Sequence, residues 1–549
     1  MGCAGMRLGI DFGTTRTRVA AAINGNYPLI DFFPEGGYHQ NWYPSLIGVR
    51  KDQVSFGLAA QAVQYDEEWE FCRSIKRLLS DWNPQTILAV GPVKRTLLDW
   101  LTGFLASLRE DLLRHSSLQV GPSEPLEAVV GIPTNSNSNQ RFLTLEAFRR
   151  AGFQVVGMLN EPSAAGLEYA FRYRPSDRQS HREHLVVYDL GGGTFDTSII
   201  SMNGREHEVI GSEGITRLGG DDFDALLMES VLSRYWPSGF IRKRLSLALS
   251  GILTPPFGPT VRSSFLNVCR EAKEALNPNT RKIMVDLSQV SPALDTVLVP
   301  ISVFYEKCDP LIAQTIQATE AALRGALGES EPGHESLAAV YLVGGSCGLP
   351  LLARSLREHF GRRVCRSPYP FAATAMGLAI AADHGSGYRL TEQFSRHFGV
   401  WRETEGGATM VFDPIFPKTT ALPRPGQPPL RVTRSYHPAH NIGHFRFLEC
   451  SALKGANQPD GDVVAWDEVY FPFDPTLAEA GHCLEREEIR RWRKAQLVYV
   501  EECYECDAEG IITVTIRNQT TGQDRTFRIR QESQQTKGPR SMAATPAAN

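Results

Sequence analysis

The clearest periodicity in the chain runs through Leu349, Leu352, Ala353, Leu356 and Phe360. This spacing predicts a helix with one apolar face, and Pro350 suits its first turn. An apolar run, Val340-Tyr341-Leu342-Val343, precedes it and reads as a buried strand broken by Gly344 and Gly345. Far downstream, Ile512, Val514 and Ile516 alternate with Thr513 and Thr515, the period of a half-buried strand. Turn residues flank that strand at Asp507 to Gly510 and at Thr520 to Asp524, so the C-terminal part reads as successive hairpins of an all-β sandwich. Two further apolar runs end alike. Leu8-Gly9-Ile10 leads into Asp11-Phe12-Gly13-Thr14-Thr15, and Val186-Val187-Tyr188 leads into Asp189-Leu190-Gly191-Gly192-Gly193-Thr194.

A strand ending in a carboxylate, then glycines, then hydroxyls suits a phosphate chain and its metal. Glycine lets the backbone turn tightly and approach a ligand, so successive N–H groups can converge on phosphate oxygens. The Thr hydroxyls add donors, and an Asp at each strand end can hold Mg²⁺ directly or through water. Asp-x-Gly also closes ordinary hairpins, so one copy alone is weak evidence. Two copies facing each other would clamp a nucleotide from both sides. Gly344, Gly345 and Ser346, ahead of a helix N-terminus, make a third anion-binding corner. Neither GxxxxGK[ST] nor GxGxxG after a strand occurs, which sets aside the commoner nucleotide folds.

Composition narrows the picture only a little. A chain of 549 residues with 42% hydrophobic content is expected to hold more than one domain. With 57 basic and 61 acidic residues, a net charge of −4 makes no case for a nucleic-acid or membrane partner. No apolar run reaches the roughly 18 residues of a membrane span and no leader pattern opens the chain, so a cytoplasmic protein is expected. The 10 cysteines are scattered, as in a reducing compartment. Cys503 and Cys506 lie three apart in a β-like run, where they point to opposite faces, and this argues against a metal or redox pair.

From residue 6 to about 384, these motifs and others between them resemble, in order, the nucleotide-binding domain of the 70-kDa heat-shock chaperones (DnaK type), within the actin and hexokinase superfamily. Besides the two Asp-x-Gly loops, Ser74 to Leu79 looks like the segment carrying that family's catalytic lysine, here Lys76. Gly131-Ile132-Pro133 with Arg141 resembles its interdomain switch. Asn160 to Gly166 is similar to a connecting segment, and Leu218 to Asp224, with Gly219 and Gly220, to the loop after the second phosphate loop.

The resemblance implies an α/β actin-like (ribonuclease H-like, duplicated) ATPase domain over 1–384, a linker over 385–395 and a β-sandwich peptide-binding-like domain over 396–531, and the polar stretch over 532–549 reads as a disordered tail. It implies that Lys76 works around the attacking water, and that Asp11 and Asp189 hold water-ligated Mg²⁺. Thr14, Thr15 and Thr194 would bind phosphates, while Glu161 and Asp196 would position water and K⁺. Gly13, Gly191, Gly192, Gly193, Gly219, Gly220, Lys273, Gly344, Gly345 and Ser346 complete the expected ATP/ADP site.

Some positions depart from the family pattern. Arg270 stands where an acid is usual, Glu274 where many members have the arginine that covers the base, Asn277 for a serine, Gly348 for an arginine and Phe371 for an acid. The linker at 385–393 lacks the acidic, Leu-rich pattern and reads as flexible, 484–494 reads as a solvated helix, and the family's helical lid is not matched. Two functions follow. One is a divergent chaperone with slow ATPase activity, extended polypeptide clients and co-chaperones. The other is a nucleotide-sensing adaptor that hydrolyses little and docks one partner through its β-domain.

Overall fold

A computed structural model describes residues 5–34, 38–64, 66, 68–80, 84–121, 124–173, 183–235, 259–290, 294–328, 336–404, 409–455, 457–466, 468–479 and 483–528. The tail expected at 532–549 lies outside the described residues.

Two sheets of the same topology organise the N-terminal part. In the first, strand Met6–Asp11 runs parallel to Leu126–Ile132, which is parallel to Gln154–Asn160, and pairs antiparallel with Arg16–Ala21 on its other side. The second repeats this with His184–Leu190, Leu337–Val343, Val364–Arg366 and Phe195–Asn203. The two Asp-x-Gly motifs are therefore the same hairpin in two copies. Each central strand is buried on both faces, as its unbroken apolar run requires. Helix Glu161–Tyr173 lies on the second sheet and helix Ala373–Ala382 on the first, and the two helices pack together between the sheets. The expected helix forms as Pro350–Phe360, with Pro350 in its first turn and Leu352, Leu356 and Phe360 buried.

The C-terminal part is a β-sandwich. One four-stranded sheet orders Thr409–Phe416, His397–Thr404, Phe447–Lys454 and Gln458–Ala465; the other orders Leu430–Tyr436, Val500–Cys506, Ile512–Asn518 and Gln523–Arg528. Phe398, Phe416, Phe447, Tyr504, Val514 and Ile516 fill the space between them. Cys503 and Cys506 are both buried three apart in one strand, and among the described residues no cluster of metal-ligating side chains forms.

Two expectations fail here. The linker read as flexible instead adds strand Arg389–Thr391, parallel to Glu206–Ile215, as the sixth strand of the second sheet. An open sheet edge offers unpaired backbone groups to any extended segment that reaches it. Glu392, next along, accepts hydrogen bonds from the backbone N–H (2.9 Å) and the side-chain amide (2.8 Å) of Asn160. The helix expected over 484–494 is replaced by short 3-10 turns, Leu484–Arg486 and Arg493–Leu497, with an extended stretch between them. Buried Asn441 accounts for it: its side chain donates to the Glu488 carbonyl (3.1 Å) and accepts from the Arg490 N–H (2.9 Å), so it satisfies the backbone that a helix would have used.

The β-sandwich sits against the N-terminal part. Ser138 donates from its backbone N–H (3.1 Å) and its hydroxyl to buried Glu449. Lys418 pairs with Glu213 at 2.6 Å, Arg424 with Glu206 at 2.9 Å, and Arg141 donates to the Glu509 carbonyl at 3.3 Å.

Candidate functional site

The duplicated hairpins bring Asp11 and Asp189 to the same cleft, which holds about 870 Å³ of open space between the two halves of the N-terminal part. Gly344, with φ 85°, lets the third glycine turn pass close by, since a β-carbon there would overlap the Asp189 carboxylate. Side chains and neighbouring amides fix the loops. Ser45 Oγ donates to the Gly13 carbonyl and Ser346 Oγ to the Gly191 carbonyl, each at 2.8 Å. The Gly220 and Asp221 N–H groups donate to the Gly191 and Gly192 carbonyls at 2.9 and 2.8 Å, and Arg77 Nη2 donates to the Gly193 carbonyl at 3.0 Å.

Lys76 lies on the 3-10 turn Ile75–Ser80, buried rather than solvated, and pairs with Glu161. Glu161 opens its helix, where the N-terminal dipole favours a negative charge. Asp196 accepts from the Thr134 N–H at 2.9 Å. Burial, then the nearby Glu161 charge, pushes the Asp11 and Asp196 carboxyls up to about 7 and Asp189 well above its usual range. Burial acts to lower Lys76, but Glu161, Asp11 and Asp196 outweigh it and hold the ammonium charged. Four carboxylates thus share one ammonium, a donor set short of positive charge that fits a hard divalent cation. Among the described residues no three acids converge closely enough to ligate an ion directly.

Of the residues singled out from sequence, Asp11, Gly13, Thr14, Thr15, Lys76, Glu161, Asp189, Gly191, Gly192, Thr194, Gly220, Lys273, Gly344, Gly345 and Ser346 line this cleft. Gly193, Gly219 and Asp196 lie behind that lining: Gly193 under Arg77, Gly219 donating to Asp222 at 2.8 Å, and Asp196 under Thr134. Arg16, Arg18, Asp221, Asp224 and Thr374 also line the cleft and were not singled out. For Asp221 and Asp224 the signal was at hand in the motif that carries Gly220. Arg16 and Arg18 needed the hairpin register.

Three of the departures, Arg270, Glu274 and Phe371, engage other side chains of the protein. Arg270 pairs with Asp221 at 2.9 Å and Asp224 at 3.1 Å, and Lys273 with Asp224 at 2.7 Å. Glu274 pairs with Arg16 at 3.2 Å. Phe371 takes the Arg18 guanidinium over its ring at 5.2 Å.

Comparison with known proteins agrees with this layout. A family model described as Hsp70 protein matches residues 116–395, which includes Glu161, the Asp189 hairpin, Lys273 and the linker strand. The chain is 28% identical over 445 residues to a chaperone protein HscA homolog of Pseudomonas fluorescens, covering 76% of this chain and 64% of that protein. It is 27% identical over 535 residues to the HscA homolog of Tolumonas auensis and 27% over 539 residues to that of Bordetella petrii, covering 94% of this chain in both and 76% and 77% of theirs. The chain thus spans less than two thirds of the length of the Pseudomonas relative and about three quarters of the other two.

Proposed function

The chain belongs to the Hsp70 family, and from that premise we propose that it is a chaperone-type ATPase that binds and slowly hydrolyses ATP and holds extended polypeptide against its β-sandwich. The observation that carries this reading is the buried Lys76–Glu161 pair facing both Asp-x-Gly turns. In-line attack of water on a γ-phosphoryl group asks mainly for positioning and charge stabilisation. Lys76, fixed by Glu161, orients the attacking water. Thr14, Thr15 and Thr194 donate to phosphate oxygens, and Asp196 with Glu161 positions water and a monovalent cation such as K⁺. Asp11 and Asp189 would hold Mg²⁺ through its waters, and bound Mg²⁺ would supply positive charge against the phosphates.

A second cleft supports the polypeptide part. It has about 1350 Å³ of open space and is lined in the β-sandwich by Trp401, Met410, His440, Ile442, Arg446 and Ile489 among others. The exposed side chains of Met410 and Ile489 beside Arg446 suit an extended segment of mixed character. The adaptor reading has one observation in its favour, the engagement of Arg270 and Glu274 in ion pairs with the protein itself.

Calorimetric titration of the full chain with ATP and Mg²⁺, followed by a labelled unfolded polypeptide, tests the proposal. Mg²⁺-dependent ATP binding and retention of the polypeptide are expected. Failure to bind ATP would overturn the ATPase, and ATP binding without retention of polypeptide would favour the adaptor.

A further inference from the structure

Arg18 lines the cleft and has no role in the scheme above. It stands directly opposite Asp11 in the antiparallel pair, and cross-strand partners share a face, so its side chain rises on the same side as that carboxylate. The second sheet repeats the register with Asp189 opposite Asp196. The duplicated hairpin therefore carries an acid in one copy and an arginine in the other. Arg18 is only 8% exposed, yet it borders the cleft.

Among the described residues the Arg18 side chain makes no hydrogen bond and no ion pair; its close neighbour is the Phe371 ring. Each of the other cations lining the cleft has an acid: Arg16 has Glu274, Arg270 has Asp221 and Asp224, Lys273 has Asp224, and Lys76 has Glu161. The Arg18 guanidinium nitrogens touch the open cleft, and Asp11 acts on them only from beyond hydrogen-bond distance, so the fork is placed to take a ligand's oxygens. That planar fork matches the oxygens of a phosphate. The groups that could read a base by hydrogen bonding are meanwhile engaged: Arg270 and Glu274 in ion pairs, and the Ser346 hydroxyl on the Gly191 carbonyl.

We propose that Arg18 is a phosphate-binding residue of this cleft, and that through it the site selects the polyphosphate chain with little discrimination between purine bases. This rests on the reading that the cleft binds a nucleotide.

The test is calorimetry of the full chain with Mg²⁺ and ATP, GTP or inorganic tripolyphosphate, on the wild type, Arg18→Met and Arg18→Lys, with thermal unfolding of each variant alongside. For the wild type, ATP and GTP are expected within about threefold of each other, with tripolyphosphate displacing both. Arg18→Met is expected to weaken all three by about tenfold or more, and Arg18→Lys to recover part of the loss. A preference for ATP over GTP of about a hundredfold, failure of tripolyphosphate to compete, or wild-type affinities in folded Arg18→Met would each overturn the proposal while leaving the nucleotide reading intact. No binding of any of the three to the wild type would overturn both.

Discussion

Asp11, Glu161, Asp189 and Asp196 crowd one ammonium in the cleft, and burial, followed by the neighbouring Glu161 charge, raises the Asp11 and Asp196 carboxyls to about 7 each. Burial sets the same physics working at Glu392, whose carboxyl it pushes up to about 6 while Arg141 and the Asn160 donors act to lower it. Its folded value lies above its unfolded one, so its contribution to stability is fully present below about 4.5 and is lost as pH rises through about 6. A shift of that size corresponds to about 2 kcal/mol. Thermal unfolding of the wild type beside Glu392→Gln is expected to show the difference moving in favour of the wild type as the buffer goes from about pH 7.5 to about pH 5. A difference that does not change with pH would contradict it. The two Asp-x-Gly turns that border the cleft were legible in the sequence because an apolar run ending in Asp and glycines marks a strand and its turn together. Arg18 was not, because only the strand register places it across from Asp11.

The two helices between the sheets touch closely because their contact is made of small residues. Ala164 and Ala165 on one face Ala373 and Gly377 on the other, and a β-carbon at Gly377 would overlap the Ala164 carbonyl. Gly377→Ala is expected to destabilise the fold by about 1–3 kcal/mol, the usual cost of overpacking, read as a lower midpoint in chemical denaturation. An unchanged midpoint would show that the helices separate freely. Since Glu161 opens one of these helices, the same packing positions the Lys76 pair. Elements with long periodic patterns, such as Pro350–Phe360 and Ile512–Asn518, were legible in advance. The short linker strand was not, because its apolar content is little more than Tyr388 and Leu390 and its partner is the distant strand Glu206–Ile215. The 484–494 segment misled because helix propensity is a weak prior that one buried side chain, Asn441, overrides.

At the scale of the molecule, a duplicated α/β clasp carries the cleft and a β-sandwich leans on its side. Asn160 accepts the Arg141 guanidinium at 3.2 Å and donates to Glu392, while its neighbour Glu161 holds Lys76, so one step along the backbone separates the linker strand from the cleft. The order of the two parts could be read from their textures, α/β then β. Their contact could not, because it is made by isolated residues, such as Ser138 with Glu449, Lys418 with Glu213 and Ile511 on the cluster of Ile132, Leu145 and Met158, which leave no periodic trace.

The central claim is that this clasp hydrolyses ATP with Lys76 at the attacking water, and single-turnover hydrolysis of γ-labelled ATP with Mg²⁺ and K⁺ tests it most directly. Slow phosphate release is expected from the wild type, falling by about 10²- to 10⁴-fold in Lys76→Ala with nucleotide binding retained. Wild-type release in that variant, or ATP held by the wild type without any release, would contradict it.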